Sequence, residues 1–243
     1  DIEGLKAEEV KAVDLDGDWA ELNDPNDLAK FVLGTKAQTL SRLKNVLKNG
    51  RIEEQVSFSV KDWNADSDKI VRLIQKQFAR GLVIVRSSAL SEDTFSTSMA
   101  GAFDSILNVD STNTDVLIET IDKVKNSYSL KNLADEILVQ PMITDVLVSG
   151  VVFTRTLMNA APYIVINYDD ESGSTDSVTS GSKGEQNTIY LLRSKALSST
   201  NTPKRFIQLL KCVQEIEVLL NYDALDIEFA ISFKAYSFAF FNC

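Results

Sequence analysis

Between residues 137 and 192 the chain passes through four short runs rich in valine, isoleucine and aromatic residues: Ile137 to Gln140, Val146 to Phe153, Tyr163 to Asn167 and Thr188 to Leu192. Each is bounded by turn residues, which reads as a succession of strands and commits this half of the chain to a sheet. A closing hairpin follows, Ala224 to Ile231, a three-residue turn and Ala235 to Asn242. On its first strand Asp226 and Glu228 stand two residues apart and project from the same face. Acids so placed can hold a hard cation, although a solvent-facing pair is the commoner meaning of the spacing.

Helices punctuate the rest. Gly34-Thr35-Lys36-Ala37 opens one in which Ala37, Leu40, Leu43 and Leu47 recur at three- and four-residue steps, with Asn49-Gly50 as its stop. A lysine in a first turn opposes the helix dipole and is usually a surface residue; it is also where a nucleotide phosphate would gain from cation and dipole together. A second helix, about Ser67 to Ala79, turns Ile70, Leu73, Ile74 and Phe78 inward and ends at Arg80-Gly81. Asp115 to Tyr128 is amphipathic, and Pro203 to Leu220 is a strong helix with proline suited to its first turn.

From strand Leu82 to Val85 the chain enters VRSSALSEDTFSTSMAGAFDSILNV, residues 85 to 109. A strand, an arginine, hydroxyls and a glycine turn can hold phosphate: Arg86 offers a planar fork of donors, and Gly101 lets backbone N–H groups approach an anion. An ordinary strand, loop and strand with a surface arginine is the alternative. The polar segment Asp169 to Gln186 between two strands is a surface excursion or a lid.

Charge and composition exclude several functions. Residues 1 to 27 carry ten acids against two lysines, a balance of −8 that leaves only −2 of the net −10 for the remainder. Without a basic stripe, neither nucleic acid nor an acidic membrane is an expected partner. Asp14-Leu15-Asp16-Gly17-Asp18 invites a calcium-loop reading, but the sixth position is Trp19 and the twelfth Pro25. The head is taken as a solvated acidic segment with a short helix from Ala7. No histidine occurs, which excludes Ser-His-Asp and Cys-His mechanisms and histidine-bound zinc within this polypeptide. Cys212 and Cys243 read as reduced thiols. No apolar run approaches the roughly 20 residues that span a bilayer, and there is no secretory signal, so a cytoplasmic setting is expected. A start on Asp and an end on an apolar run suggest a piece of a longer protein.

Four stretches, in order, resemble the N-terminal nucleotide-binding domain of the pyruvate phosphate dikinase and phosphoenolpyruvate synthase family: Gly34-Thr35-Lys36-Ala37, the run from Val85 to Val109, VQPMITDVLVSGVVFT from Val139 to Thr154, and LDIEFAI. The form of residues 162 to 181 is similar to the L-glutamine kinase-like branch. The resemblance covers about residues 30 to 243. It implies an α+β, ATP-grasp fold in which two lobes with mostly antiparallel sheets enclose a nucleotide cleft, with residues 1–29 an acidic segment, 30–112 one lobe and 113–243 the other. It implies ATP and Mg²⁺ as cofactors. Lys36 and Arg86 would bind the phosphates, backbone at Ala100 and Gly101 would cover them, and Gln140, Pro141 and Met142 would meet the adenine. Ser87, Thr154 and Asn242 would also contact the nucleotide, while Asp226 and Glu228 would hold magnesium. Lys36, Arg86 and Glu228 would carry catalysis. In the family ATP phosphorylates a histidine on a separate swivelling domain, which hands the group to an acceptor-binding domain and a small-molecule acceptor, pyruvate or an amino acid such as glutamine. The missing histidine fits a chain that is the ATP half of such an enzyme. Thr35 and Ala37 replace glycines of the family's lysine motif, and Asn242 stands for its glutamine with a shorter reach. These departures motivate the rival reading, a non-catalytic interaction or regulatory module that keeps the fold.

Overall fold

The computed structural model describes residues 34–79, 81–89, 105–128, 132–173, 187–200 and 202–232, with the backbone alone of three further short strands. In the acidic head β1 (Lys11–Val13) pairs antiparallel with β2 (Trp19–Glu21). Residues 11–13 are therefore strand where a helix from Ala7 is the sequence expectation.

Helix α1 (Lys36–Lys44) starts where Thr35 allows it. The Thr35 hydroxyl accepts the Gln38 N–H and the Gln38 side chain accepts the Thr35 N–H, a reciprocal cap. Gly34 precedes it at φ 72°, in the left-handed region, where a Cβ would lie 2.3 Å from the Gln38 side-chain oxygen. Next come β3 (Arg51–Ile52), β4 (Val56–Ser59), α2 (Val60–Ala65) and α3 (Ser67–Gln77). Asp66 ends α2, and its carboxylate caps α3 by accepting the Lys69 N–H at 2.9 Å. Ile70, Val71 and Ile74 face inward, but Leu73 is half exposed. At about 100° per residue it falls roughly 110° from the centre of the inward arc, and Val71 takes the place assigned to it.

The remaining elements are β5 (Leu82–Ser88), β6 (Ser105–Asp110), α4 (Thr114–Ser127), β7 (Glu136–Pro141), β8 (Val146–Phe153), β9 (Tyr163–Asp169), β10 (Asn187–Leu192), α5 (Ile207–Leu220), β11 (Asp226–Ser232) and β12 (Tyr236–Phe238). A 3₁₀ turn at Lys204–Phe206 leads into α5, so Pro203 opens that turn rather than the α-helix.

Two sheets result. One is wholly antiparallel, in the order β4-β7-β5-β6. The other runs β10-β9-β8-β11-β12-β3 and is antiparallel except where β12 meets β3. The fold is α+β with two mostly antiparallel sheets.

Each sheet has its own core. Val56, Phe58, Val83, Val85, Ile137 and Val139 pack beneath the first sheet with Ile70, Ile74, Leu117 and Ile121 of α3 and α4. Val148, Val152, Ile164, Ile166, Ile227 and Phe229 of the second sheet pack with Leu209, Leu210, Val213 and Ile216 of α5. Ala37, Leu40 and Leu43 of α1 and Ile52 of β3 join this second core. A single cut at 112/113 does not separate the two cores, because β7 lies beyond it yet sits between β4 and β5, while α1 and β3 lie before it yet pack with the second sheet. Gly150 permits the close approach of β8 and β9: a Cβ there would lie 2.1 Å from the Asn167 carbonyl oxygen.

Candidate functional site

Strand alternation sorts the first sheet into two faces. Val83 and Val85 of β5 and Ile137 and Val139 of β7 face the core below. The opposite face carries Ile84, Arg86 and Ser88, paired across the ladder with Gln140, Leu138 and Glu136 respectively. The strand signal at Leu82 to Val85 thus continues through the polar residues, and Arg86 is a strand residue buried to 9% exposure.

The second sheet is sorted the same way. Ile227, Phe229 and Ile231 of β11 face their own core, so Asp226 and Glu228 share the other face, opposite Phe153 and Val151 of β8. From the first sheet to the second, the Arg86 guanidinium donates through Nη2 to the Glu228 carboxylate. Lys36 at the start of α1 is close enough for its charge to act on the same group. Burial alone would raise the Glu228 carboxyl, but the charges of Arg86 and Lys36 outweigh it and hold the group below the ordinary glutamate value. Lys36, Arg86 and Glu228, from three separate parts of the chain, therefore converge. Arg86 keeps a buried Nε–H with no partner among the described residues.

The backbone at the start of α1 is already engaged. The Ala37 N–H donates to the Ser88 hydroxyl at 2.9 Å, and Gln38 N–H donates to Thr35. The Thr35 hydroxyl also donates to the Glu136 carboxylate. Of the first-turn N–H groups that a phosphate is expected to use there, those of Ala37 and Gln38 are capped by side chains. Burial raises the Glu136 carboxyl above its ordinary value, partly offset by the bonds to Thr35 and Gln38.

Other expected residues divide. Gln140 is 2% exposed on the face of Arg86, and its Nε2 has no partner among the described residues. Met142 offers no free N–H, since it donates to the Leu82 carbonyl at 2.9 Å. Pro141 pairs with Val83 and so lies on the core-facing side. Ser87 is opposite Ile137 on that same side, away from Glu228. Ser88, which sequence reasoning passed over, is the serine on the Arg86 face; the signal for it was the two-residue step from Arg86. Thr154 is fully buried, and its hydroxyl donates to the Asp223 carbonyl at 2.7 Å and accepts the Leu225 N–H at 2.8 Å. It is a latch between β8 and β11 rather than a free donor. Ala100, Gly101 and Asn242 lie outside the described residues. Asp226 and Glu228 form a pair; among the described residues no group of three or more His, Cys, Asp or Glu side chains could hold a metal ion.

Residues 34–182, more than half of the chain, match the family described as pyruvate phosphate dikinase, AMP/ATP-binding domain. The chain belongs to that family. The matched segment of this dikinase-family chain contains Lys36, Arg86 and Gln140 and stops before Asp226 and Glu228. No curated protein matches the sequence. Among solved structures it is similar to D-alanine–D-alanine ligase from Bacillus anthracis, with 12% identity over 89% of this chain and 58% of the ligase and a TM-score of 0.47. VanG D-Ala:D-Ser ligase from Enterococcus faecalis gives 9% identity over 87% of this chain and 52% of that one, with a TM-score of 0.47. PH1788 from Pyrococcus horikoshii Ot3 gives 12% identity over 84% and 83%, with a TM-score of 0.44. The chain thus spans little more than half the length of the two ligases. No helix among the described residues is long and apolar enough to cross a membrane.

Proposed function

We propose that this dikinase-family chain is an ATP-grasp module that binds Mg·ATP between its two sheets and donates a phosphoryl group to a histidine on a separate domain, for onward transfer to a small-molecule acceptor. The observation that carries the reading is the convergence of Lys36, Arg86 and Glu228 where the two sheets meet, with a buried Arg86 N–H left over. A guanidinium fork bound at one corner and unpartnered at another matches phosphate oxygens, which accept two parallel N–H bonds. Asp226 and Glu228 on one strand face fit Mg²⁺, which is commonly held by one or two carboxylates plus substrate phosphates. When bound, the ion would neutralise charge on the phosphates.

The chain's own residues then have distinct tasks. Arg86 orients the phosphates from the first sheet, and Lys36 places a second positive charge beside them. Binding a nucleotide requires Arg86 to turn from Glu228 to phosphate, which frees the carboxylate to face the metal. Phosphoryl transfer requires mainly positioning and charge stabilisation, and these groups supply both. The chain has no histidine to receive the phosphoryl group, so a phosphohistidine domain and an acceptor domain are its proposed partners.

Isothermal titration with Mg·ATP tests the binding. Saturable binding, weakened by Arg86→Ala, is expected; absence of binding to the wild-type chain would overturn the proposal and favour the non-catalytic reading. Incubation of the chain alone with Mg·ATP is expected to leave no acid-labile phosphohistidine on it.

A further inference from the structure

The backbone on either side of Lys36 is held by the sheet whose core its helix does not join. Helix α1 belongs to the second core through Ala37, Leu40 and Leu43, yet the two residues that flank the lysine are each bonded to the first sheet or to the approach to it. Before it, the Thr35 hydroxyl donates to the carboxylate of Glu136, the first residue of β7. After it, the Ala37 N–H donates to the Ser88 hydroxyl of β5 at 2.9 Å, and the Ala37 carbonyl accepts from Gln55 Nε2, just before β4, at 2.8 Å. A helix held only by its apolar face would need none of these bonds.

Thr35 couples them to the helix. Its hydroxyl proton goes to Glu136, while its oxygen accepts the capping Gln38 N–H at 3.2 Å. A hydroxyl can do both, being one donor and an acceptor with two lone pairs. Gln38 doubles the link, since its side chain accepts the Thr35 N–H and also bonds the Glu136 carboxylate. The sheet side is equally fixed. Glu136 is directly opposite Ser88 in the ladder of β5 and β7, and the Tyr128 hydroxyl donates to the Glu136 carbonyl and accepts the Ser88 N–H at 3.3 Å. Thr35 and Ser88 are both buried, so little water competes for these bonds.

Stability does not account for the carboxylate. Burial raises the Glu136 carboxyl against the bonds from Thr35 and Gln38, with Asp62 adding to the rise, so keeping it ionised costs the folded state. A glutamine would accept from Thr35 without that cost. What the charge supplies is a stronger bond to the residue next to Lys36.

We propose that Glu136, acting through Thr35, is a positioning residue for Lys36 and sets the lysine ammonium where a triphosphate meets it. The inference rests on the nucleotide-binding proposal above. A lysine is a point charge on a flexible four-carbon stem, so where it reaches is no more definite than the backbone that carries it.

Titration calorimetry with Mg·ATP tests this as a double-mutant cycle, with Lys36→Met made alone and together with each change at Glu136 or Thr35. Glu136→Met removes the acceptor and leaves the Thr35 cap intact. It is expected to weaken Mg·ATP about 5- to 10-fold when Lys36 is present and by less than about twofold in the Lys36→Met background. Thr35→Val removes the hydroxyl at similar size and should give the same pattern, while Thr35→Ser, which keeps it, should stay within about twofold of wild type. Glu136→Gln, an acceptor without the charge, should fall between wild type and Glu136→Met. Thermal melts identify the variants that fold, and Glu136→Met decides the question alone if Thr35→Val does not. A merely structural contact would carry its penalty into the Lys36→Met background. Wild-type affinity for Glu136→Met, or an equal penalty in both backgrounds, would overturn the positioning role while leaving nucleotide binding in place. No binding of Mg·ATP to the wild-type chain would overturn the nucleotide proposal and this inference with it.

Discussion

Two arginine clusters in this molecule use the same chemistry to opposite ends. At the end of β8, Arg193 donates to the Thr154 carbonyl at 2.7 Å and grips both oxygens of Glu217 at 2.6 and 3.1 Å. Beside it Arg155 holds both oxygens of Asp223, at 3.1 and 2.5 Å, and reaches the Ala160 carbonyl. The hydrogen bonds from Arg155, with the charges of Arg155 and Arg193, keep Asp223 below the ordinary carboxylate value against a smaller effect of burial. The Arg86 contact is thinner: one nitrogen bonds Glu228, and the buried Nε bonds nothing among the described residues. Saturated, bidentate pairs fix the junction between β8, α5 and β11. A monodentate pair that links two sheets and leaves a donor over suits the exchange with a nucleotide phosphate proposed above.

If that contrast is right, the two clusters must fail differently. Arg193→Ala should have the largest effect, a loss of about 3 kcal/mol in stability, since it strands the partly buried Glu217 carboxylate and the Thr154 carbonyl. Urea unfolding reads it, and the folded fraction should bind Mg·ATP with wild-type affinity. Arg86→Ala should do the reverse, weakening Mg·ATP by about 100-fold, near 2.7 kcal/mol, with a smaller stability change. Equal stability losses at the two sites would erase the distinction between them.

Glu228→Gln sharpens the comparison from the carboxylate side. Removing the charge frees Arg86 for phosphate, so ATP titrated in the presence of a chelator should bind about tenfold more tightly than to wild type, while the gain from adding Mg²⁺ shrinks. An unchanged magnesium dependence would count against Glu228 as partner of both. The smallest effect is expected at Glu136, whose carboxyl is raised by burial. Because its folded value lies above its unfolded one, its contribution to stability is complete below the ordinary glutamate range and is lost as pH rises through the folded value. Glu136→Gln keeps an acceptor for Thr35 and should raise the melting temperature at pH 7 by no more than about 2–4 °C. That advantage should vanish at pH 4.

Much of this was legible before any coordinates. The strands from Glu136 onward announced themselves by β-branched runs, and the two-residue step placed Asp226 and Glu228 on one face without further help. Lys36 and Arg86 were legible as residues but not as neighbours, because only the pairing of two sheets brings α1, β5 and β11 together. Ser87 and Ser88 were indistinguishable until the strand was seen to continue through Arg86; one step of alternation then sends Ser87 to the core side and Ser88 to the Ala37 N–H. Thr154 carries no local sign that its hydroxyl is engaged, since both partners lie about 70 residues away. Short β3 and β4 lacked the length for a periodic signal, so Gln55 on the approach to β4 drew no notice.

The most direct test is a crystal structure with a non-hydrolysable ATP analogue and Mg²⁺. The triphosphate is expected between the two sheets, with Arg86 turned from Glu228 to a phosphate oxygen through its Nε edge and Asp226 and Glu228 facing the metal. An analogue bound outside the gap, or one bound within it while the Arg86–Glu228 pair stays closed, would contradict it.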